Sequence, residues 1–547
     1  MKPKTKIVLD GHSLTLEDAV AIARGSFDHQ GNKIYPFISL DPTASQILKE
    51  FRTGLESRIK AGDVIYGVNT GCGDRKGVAI PTEEIDDYQA HYIPAHCVGF
   101  GQPFPEEIVR LAIILRVNSF VLGHSGVRLE LCEKLLEIYN KGVIPFVPEQ
   151  GSVGSSGDLC PLAHMSATIL GIPGQKAYQN GVLMEATDAL RLAGIEPITL
   201  RAKEAMGLTN GSTFTLAIGL LVLHDVKKLI SFSHFAAALS LEAIRGEKAA
   251  FDPRIHEARN NPYSIEVAKL ILELTKDSQR MTDESRHFCL PAEAKIKKYT
   301  PRVQDAYSFR GYPQVAGPVI KNLQYAYEVF IAEMNAATDN PLIFKIEQEG
   351  EPDRFETLSG GNFHGEPLAH AAAILKLGVQ GLANISDRRF YALTMPSTSY
   401  GLPDDLAGSV KNELNTGFMI LQYTTAALVA ENKILCHPAV IDSIPTSANQ
   451  EDYVSLGTID ARYLLKVVNN TYGIIAAELL AAAQGISLTE DELKIVRCDQ
   501  LGEKTGLIYK NIRQIIPATL EDRYLYSDFQ KMYKYLLDNE PEDLLVD

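Results

Sequence analysis

Basic charge is scarce in this chain. Its 68 Asp and Glu outnumber 53 Lys and Arg, leaving a formal net charge of −15. A surface of that sign is repelled by phosphate backbones and anionic lipid, so neither nucleic acid nor a membrane is expected as the main partner. Cysteine is sparse too. Seven residues, at 72, 97, 132, 160, 289, 436 and 498, are spread over 547 positions with no C-x-x-C spacing. An odd, scattered set argues against a disulfide scaffold and against a zinc site, so no metal is expected and a reducing cytoplasm is the simplest compartment. Long hydrophobic runs are missing. The longest, Phe214 to Leu223, is about half a membrane span. Met1 to Asp10 carries lysines but lacks the apolar core of a signal peptide.

Glycine and serine, by contrast, crowd into one place. Gly151-Ser152-Val153-Gly154-Ser155-Ser156-Gly157-Asp158 follows a buried extended entry, Val143 to Pro148, and precedes a helix start at Leu159. A Gly-rich turn opening a helix suggests a phosphate cradle. Here the detail excludes it: no Gly-Lys-Ser/Thr ending occurs, the glycines are spaced G-x-x-G-x-x-G, and no serine has glycine two residues away on both sides. Another chemistry fits. In a tight enough turn the Gly157 nitrogen can attack the Ser155 carbonyl carbon, which a side chain at 157 would block. Loss of two waters, one from the Ser156 side chain, leaves a five-membered imidazolone with an exposed methylidene carbon. That is an electrophile made from protein alone, and a helix N-terminus behind it adds positive potential.

The stretch Gly151 to His164 resembles the prosthetic-group motif of the aromatic amino acid ammonia-lyases, most closely the histidine-specific members. The resemblance implies 4-methylideneimidazole-5-one, formed autocatalytically from Ser155-Ser156-Gly157. The usual tripeptide is Ala-Ser-Gly. Ser155 departs from it only in a ring substituent, because the first residue contributes its backbone carbonyl.

Seven further loops match the family in order. Ile65 to Gly73 resembles the loop with the catalytic tyrosine, which falls on Tyr66. Tyr92 to Gly101 resembles the substrate-pocket histidine loop, which falls on His96, with Pro94 and Ala95 departing from the usual residues. Leu208 to Gly211 implies Asn210 at the prosthetic group and substrate. Gln304 to Arg310 implies a catalytic Tyr307 and a carboxylate-binding Arg310, whose planar fork suits a bidentate pair. Asn335 to Pro341 matches the N-x-x-x-D-N-P loop. Gly360 to His364 implies Phe363 in the pocket, and Pro445 to Asp452 implies Glu451 facing the substrate ring. Met419 is a further pocket candidate that could equally be core. By itself each is a polar loop between helices; the ordered set is specific.

The family chemistry removes a β-hydrogen and an α-amine. An electrophilic methylidene can take up either the amine or the ring, and the sequence does not choose. Tyr66 is the candidate base, and a phenol with a pKa near about 10 would need lowering to serve at neutral pH. Glu451 can accept N–H bonds from imidazole, which phenyl lacks, so the resemblance points to L-histidine, with trans-urocanate and ammonia as products. A tyrosine ammonia-lyase is the competing substrate reading, an aminomutase the next, and a catalytically silent helical scaffold the reading from outside the enzyme class.

From about residue 200 the apolar pattern is helical. Long helices are expected near 214–245, 317–337, 364–395, 407–435 and 455–485, and apolar stripes over more than about 25 residues suggest a bundle. The expected fold is mainly α: a mixed N-terminal region carrying the Gly/Ser loop (1–210), a central long-helix bundle (211–500), and a C-terminal helical segment with a solvated acidic tail (501–547). The resemblance implies a fumarase/aspartase-like architecture and a homotetramer whose active sites are shared between subunits.

Overall fold

The computed structural model describes residues 4–27, 30–154, 156–296, 302–347, 354–410 and 412–546. The long apolar stripes become long helices: Thr213–Ile244, Tyr312–Met334, Glu366–Leu393 and Gly457–Val496. The last runs well past the expected end at 485. Ser487 and Thr489 do not break it, because their hydroxyls donate to the carbonyls of Ala483 (3.2 Å) and Gly485 (3.1 Å) one turn back. The helix expected from 407 begins only at Met419. Gly417 sits at φ +66°, where a Cβ would come within 2.4 Å of the Asp405 carbonyl oxygen, and its amide donates to Asp522 (3.1 Å). The segment before Met419 is therefore committed to a turn.

The acidic C-terminal tail is not simply solvated surface. Its last turn, Pro541–Leu545, buries Leu544 completely, and Asn511 Nδ2 donates to the carbonyls of Leu544 (3.0 Å) and Val546 (2.8 Å). Burying one leucine contributes about 1.5–3 kcal/mol, enough to seat a short acidic segment.

The chain divides into two compact units, each assembled from three stretches. The first comprises Met1–His224, Ala326–Ala373 and Pro438–Arg462; the second comprises Asp225–Tyr325, Ile374–His437 and Tyr463–Asp547. All strands among the described residues lie in the first unit, in small sheets such as Phe100–Pro103 with Pro148–Gln150 and Val143–Pro145 with Lys176–Gln179 and Val182–Glu185. The buried side chains of Leu55, Ile65, Val68, Ile85, Ala202 and Ile343 pack beneath the Tyr66 loop. The second unit is helical among the described residues. At its centre the buried Glu478 carboxylate accepts from Arg389 Nη2 (2.8 Å) and from the Ser240 hydroxyl (2.7 Å), so a buried ion pair is closed by hydroxyl donors. Glu366–Leu393 and Gly457–Val496 are long and apolar enough to cross a membrane, but their most apolar windows are 67% and 89% buried within the protein, as in core helices.

Candidate active site

The Gly/Ser stretch is held from several directions within the first unit. Asp158 caps the helix Leu159–Ile169 and is wholly buried. Its carboxylate accepts from the Thr215 amide (2.7 Å), the Thr215 hydroxyl (3.1 Å), the Ser152 hydroxyl (2.9 Å) and the Thr458 hydroxyl. Burial raises its pKa, and the bonds from Thr458, Thr215 and Ser152 oppose that rise. Gly157, at φ +70°, lies against Gly211. The Gly211 amide donates to the Ser156 carbonyl (3.0 Å), and the Asp158 amide donates to the Gly211 carbonyl (2.8 Å). A Cβ on Gly157 would fall 2.1 Å from the Gly211 carbonyl carbon. Glycine is thus required by the chain packed beside it, a reason the local sequence does not contain. From the other side the Leu456 amide donates to the Val153 carbonyl (2.9 Å), so the segment after Glu451 braces the stretch. Ser155 lies outside the described residues.

Tyr66 and Glu451 are joined through their loops. The Tyr66 hydroxyl accepts from the Gly73 amide (2.9 Å), the Asp74 amide donates to the Ser447 hydroxyl (3.2 Å), and Lys76 bonds Gln450. Glu451 accepts from the Thr446 hydroxyl (3.2 Å), while Thr446 and Glu451 bridge through their backbones. The lowered phenol pKa expected for Tyr66 is not found: burial raises it, Cys72 and Glu451 add to the rise, and the Gly73 amide alone opposes it. The Cys72 thiol accepts from the Tyr88 hydroxyl (3.2 Å), and burial pushes it up to about 11.

His96 ends the helix Ile85–His96. Its ring stacks on Tyr92, one turn back, with centroids 4.0 Å apart and planes 22° apart, and its Nδ1 bonds the Tyr92 carbonyl at 2.6 Å. That carbonyl can only accept, so Nδ1 carries the hydrogen. Asn210 follows the helix Glu204–Thr209 and is buried. Its Nδ2 donates to the Asn340 carbonyl (3.0 Å), its own carbonyl accepts from Arg116 (2.8 Å), and its Oδ1 is buried with no hydrogen-bond partner among the described residues. The next loop is anchored by a wholly buried ion pair, Lys203 to Asp339 at 2.6 Å, and Asp339 also accepts the Asn340 amide (2.6 Å).

These groups border one cavity of about 510 Å³, within the first unit. Tyr66, His96, Ser156, Asn210, Phe363 and Glu451 all line it, as do Cys72, Tyr92, Met206 and Gln450. Six of the residues singled out in the sequence are thus brought together. Cys72, Tyr92, Met206 and Gln450 were not singled out. Tyr92 carried one usable signal, its place one helical turn before His96. Three other candidates are in the second unit and do not line this cavity. Tyr307 is 79% exposed on the single turn Tyr307–Arg310. Arg310 lies over its ring at 4.6 Å and donates to the Asp305 carbonyl (3.0 Å). Met419 is half-buried at the start of its helix.

The chain matches known proteins over nearly its whole length. Residues 14–514 match the model of the aromatic amino acid lyase family. A histidine ammonia-lyase of Treponema denticola is 39% identical over 539 residues, covering 98% of each chain. The crystal structure of histidine ammonia-lyase from Trypanosoma cruzi superposes with a TM-score of 0.83 at 35% identity, covering 99% of this chain and 95% of the other. The tyrosine aminomutase of Streptomyces globisporus reaches 0.85 at 30% identity over 97% and 96%. The fold is accordingly that of the aromatic ammonia-lyases and aminomutases, in the fumarase/aspartase-like class. A match of this extent, with Ser156 and Tyr66 on the wall of one cavity, makes the protein a member of the aromatic amino acid lyase family and a carbon–nitrogen lyase.

Proposed function

We propose that the chain is a histidine ammonia-lyase, converting L-histidine to trans-urocanate and ammonia. The observation that carries this reading is Glu451 on the same cavity wall as His96 and Ser156. An imidazole N–H can donate to Glu451 or to Nε2 of His96, which accepts because Nδ1 carries the hydrogen, whereas a phenyl ring leaves both unmatched at a cost of about 1–3 kcal/mol. The related histidine ammonia-lyases support the same substrate.

The residues present fit a 4-methylideneimidazole-5-one group made from Ser155-Ser156-Gly157. Gly157 has no room for a side chain, Ser156 faces the cavity, and the buried Asn210 Oδ1 is an acceptor without a partner among the described residues. When formed, that group supplies an electrophilic methylidene carbon. The other roles belong to ordinary side chains. Arg310 pairs with the substrate carboxylate, Asn210 orients the amino-acid end, Phe363 packs on the substrate, and Tyr66 takes the β-hydrogen at its Oη. Tyr307 assists departure of the amine. The Gly73 amide favours the Tyr66 phenolate, and burial opposes it. Met419 is kept as a pocket residue.

Because Tyr307, Arg310 and Met419 belong to the second unit while the cavity is built by the first, the proposal includes a homotetramer in which subunits share active sites. Exposed Ile420, Tyr423, Ile434, Ile441 and Ile444 suit such contacts. A reducing cytoplasm suits the seven free cysteines. The second reading, a tyrosine-acting enzyme, is favoured by the TM-score of 0.85 to a tyrosine aminomutase. The test is a parallel spectrophotometric assay with histidine, tyrosine and phenylalanine. Urocanate is expected to form fastest, and Glu451→Gln is expected to lower kcat/KM for histidine at least about tenfold, or about 1.4 kcal/mol. Faster production of p-coumarate from tyrosine would replace the histidine reading.

A further inference from the structure

His164 has no part in the chemistry above, yet its ring is held at both nitrogens. Nε2 lies 3.1 Å from the Gly99 amide, and Nδ1 lies 3.1 Å from Gln175 Oε1. An amide nitrogen can only donate, so Nε2 is the acceptor and the ring hydrogen sits on Nδ1, where it donates to Gln175. The orientation of Gln175 is set in turn. Its Nε2 donates to the carbonyls of Phe146 (2.9 Å) and Lys176 (2.9 Å), which leaves Oε1 for His164. Burial lowers the His164 pKa and so favours this neutral, accepting form.

Gly99 lies three residues after His96, in the connection between the helix Ile85–His96 and the strand Phe100–Pro103. His164 lies on the helix Leu159–Ile169, which opens directly after the Ser156-Gly157-Asp158 turn. Gly99 approaches closely: a Cβ there would meet Pro148 at 2.9 Å and His164 Nε2 at 3.2 Å. On the helix side, the stack on Tyr92 and the Nδ1 bond to the Tyr92 carbonyl orient the His96 ring relative to its own helix, but they do not place the helix end. Past the helix end the Cys97 and Val98 amides donate back to the Pro94 (3.2 Å) and His96 (3.0 Å) carbonyls, and the Val98 backbone also bonds the Cys160 sulfur. Val98 itself is 74% exposed, so Gly99 is the point where His164 holds the connection.

We infer that His164 is a positioning residue that ties the loop after His96 to the helix bearing the Gly/Ser turn, and so sets the distance between the ring-binding histidine and the reacting carbon. The inference rests on the reading of His96 as a substrate-ring contact. A loop loosened at Gly99 lets His96 drift from the substrate ring. It leaves Ser156 and Tyr66 untouched, because neither is bonded through this tie. The defect is therefore one of binding more than of turnover.

Two polar variants separate the two ends of the ring. His164→Asn keeps a polar group where Nδ1 faces Gln175 and lacks the reach to Gly99. His164→Gln extends an acceptor toward the Gly99 amide. In hydrogen-exchange mass spectrometry of the full-length protein, the segment 97–101 is expected to lose about tenfold protection in His164→Asn and to keep it in His164→Gln. With histidine, KM is expected to rise about fivefold in His164→Asn with kcat little changed, and to be restored in His164→Gln. Wild-type protection in His164→Asn, equal loss in both variants, or a loosened segment with unchanged KM would each overturn the inference. The exchange comparison decides whether the tie exists even if the wild-type protein does not turn over histidine, a result that would instead overturn the histidine reading.

Discussion

The Gly151–Asp158 stretch and the Tyr307–Arg310 turn, both given chemical roles in the proposed function, are held in contrasting ways. The first is overdetermined. Among the described residues the Asp158 carboxylate has four donors, Gly157 is wedged against Gly211, and Val153 is bonded to Leu456. The second is one helical turn whose tyrosine is 79% exposed and whose arginine, among the described residues, meets a ring face and one carbonyl. A turn that reacts with itself, as proposed for Ser155-Ser156-Gly157, needs its atoms held within a fraction of an ångström, which dense packing provides. A residue that pairs with an arriving substrate can be left open until the site is complete. The difference teaches where a substitution should cost chemistry, where it should cost folding, and where it should cost binding alone.

The largest effect is expected at the packed stretch. Ser156→Ala should fold, yet lose at least about a thousandfold in kcat, since no methylidene carbon can form. Intact-mass measurement of the wild type should read two waters below the sequence value. A full unmodified mass together with full activity would break the comparison at its root. Tyr66→Phe should follow, losing about 10²–10⁴-fold in kcat/KM with an unchanged melting temperature. The sign of the pH dependence follows from the raised Tyr66 pKa. The base form is the phenolate, it gains as pH rises, and kcat/KM should climb through the alkaline range. A profile falling with alkali would remove Tyr66 as the base.

Folding is tested beside the same cavity. Lys203→Met leaves the Asp339 carboxylate buried without its cation and should cost about 3–5 kcal/mol in a denaturant titration. The smallest effect is expected at the open turn. Arg310→Lys should raise KM for histidine several-fold with stability unchanged, because a bidentate fork becomes a point charge while little packing is lost. If Arg310→Lys unfolded the protein, the contrast between a packed and an open half of the chemistry would be wrong.

Much of the site was legible in linear order because each loop keeps its chemistry within about ten residues. Tyr66, His96, Asn210, Phe363 and Glu451 could each be singled out from short motifs, and one cavity collects them. Of the additional wall residues, Tyr92 was signalled only by its place one turn before His96, and Cys72, Met206 and Gln450 are ordinary residues until the fold turns them inward. Helix existence was readable from apolar periodicity. Helix ends were not, as the start at Met419 and the end at Val496 illustrate. Those ends depend on where backbone donors and acceptors find distant partners, such as Asp522 for Gly417.

The sequence by itself determined that the chain makes long helices and carries the Ser-Ser-Gly tripeptide from which cyclisation is proposed, because periodicity and the Ser-Gly-Asp order are local properties. It also determined which side chains can take a proton or grip a carboxylate. Tertiary structure added a second reason for glycine at 157, beyond the turn chemistry, since the carbonyl carbon that a side chain there would strike belongs to Gly211. It alone raised the Tyr66 pKa, through burial. And it alone separated the candidate residues into those that share a cavity in the first unit and those in the second that do not line it. Proximity between residues hundreds of positions apart is a property of packing, and no local pattern encodes it.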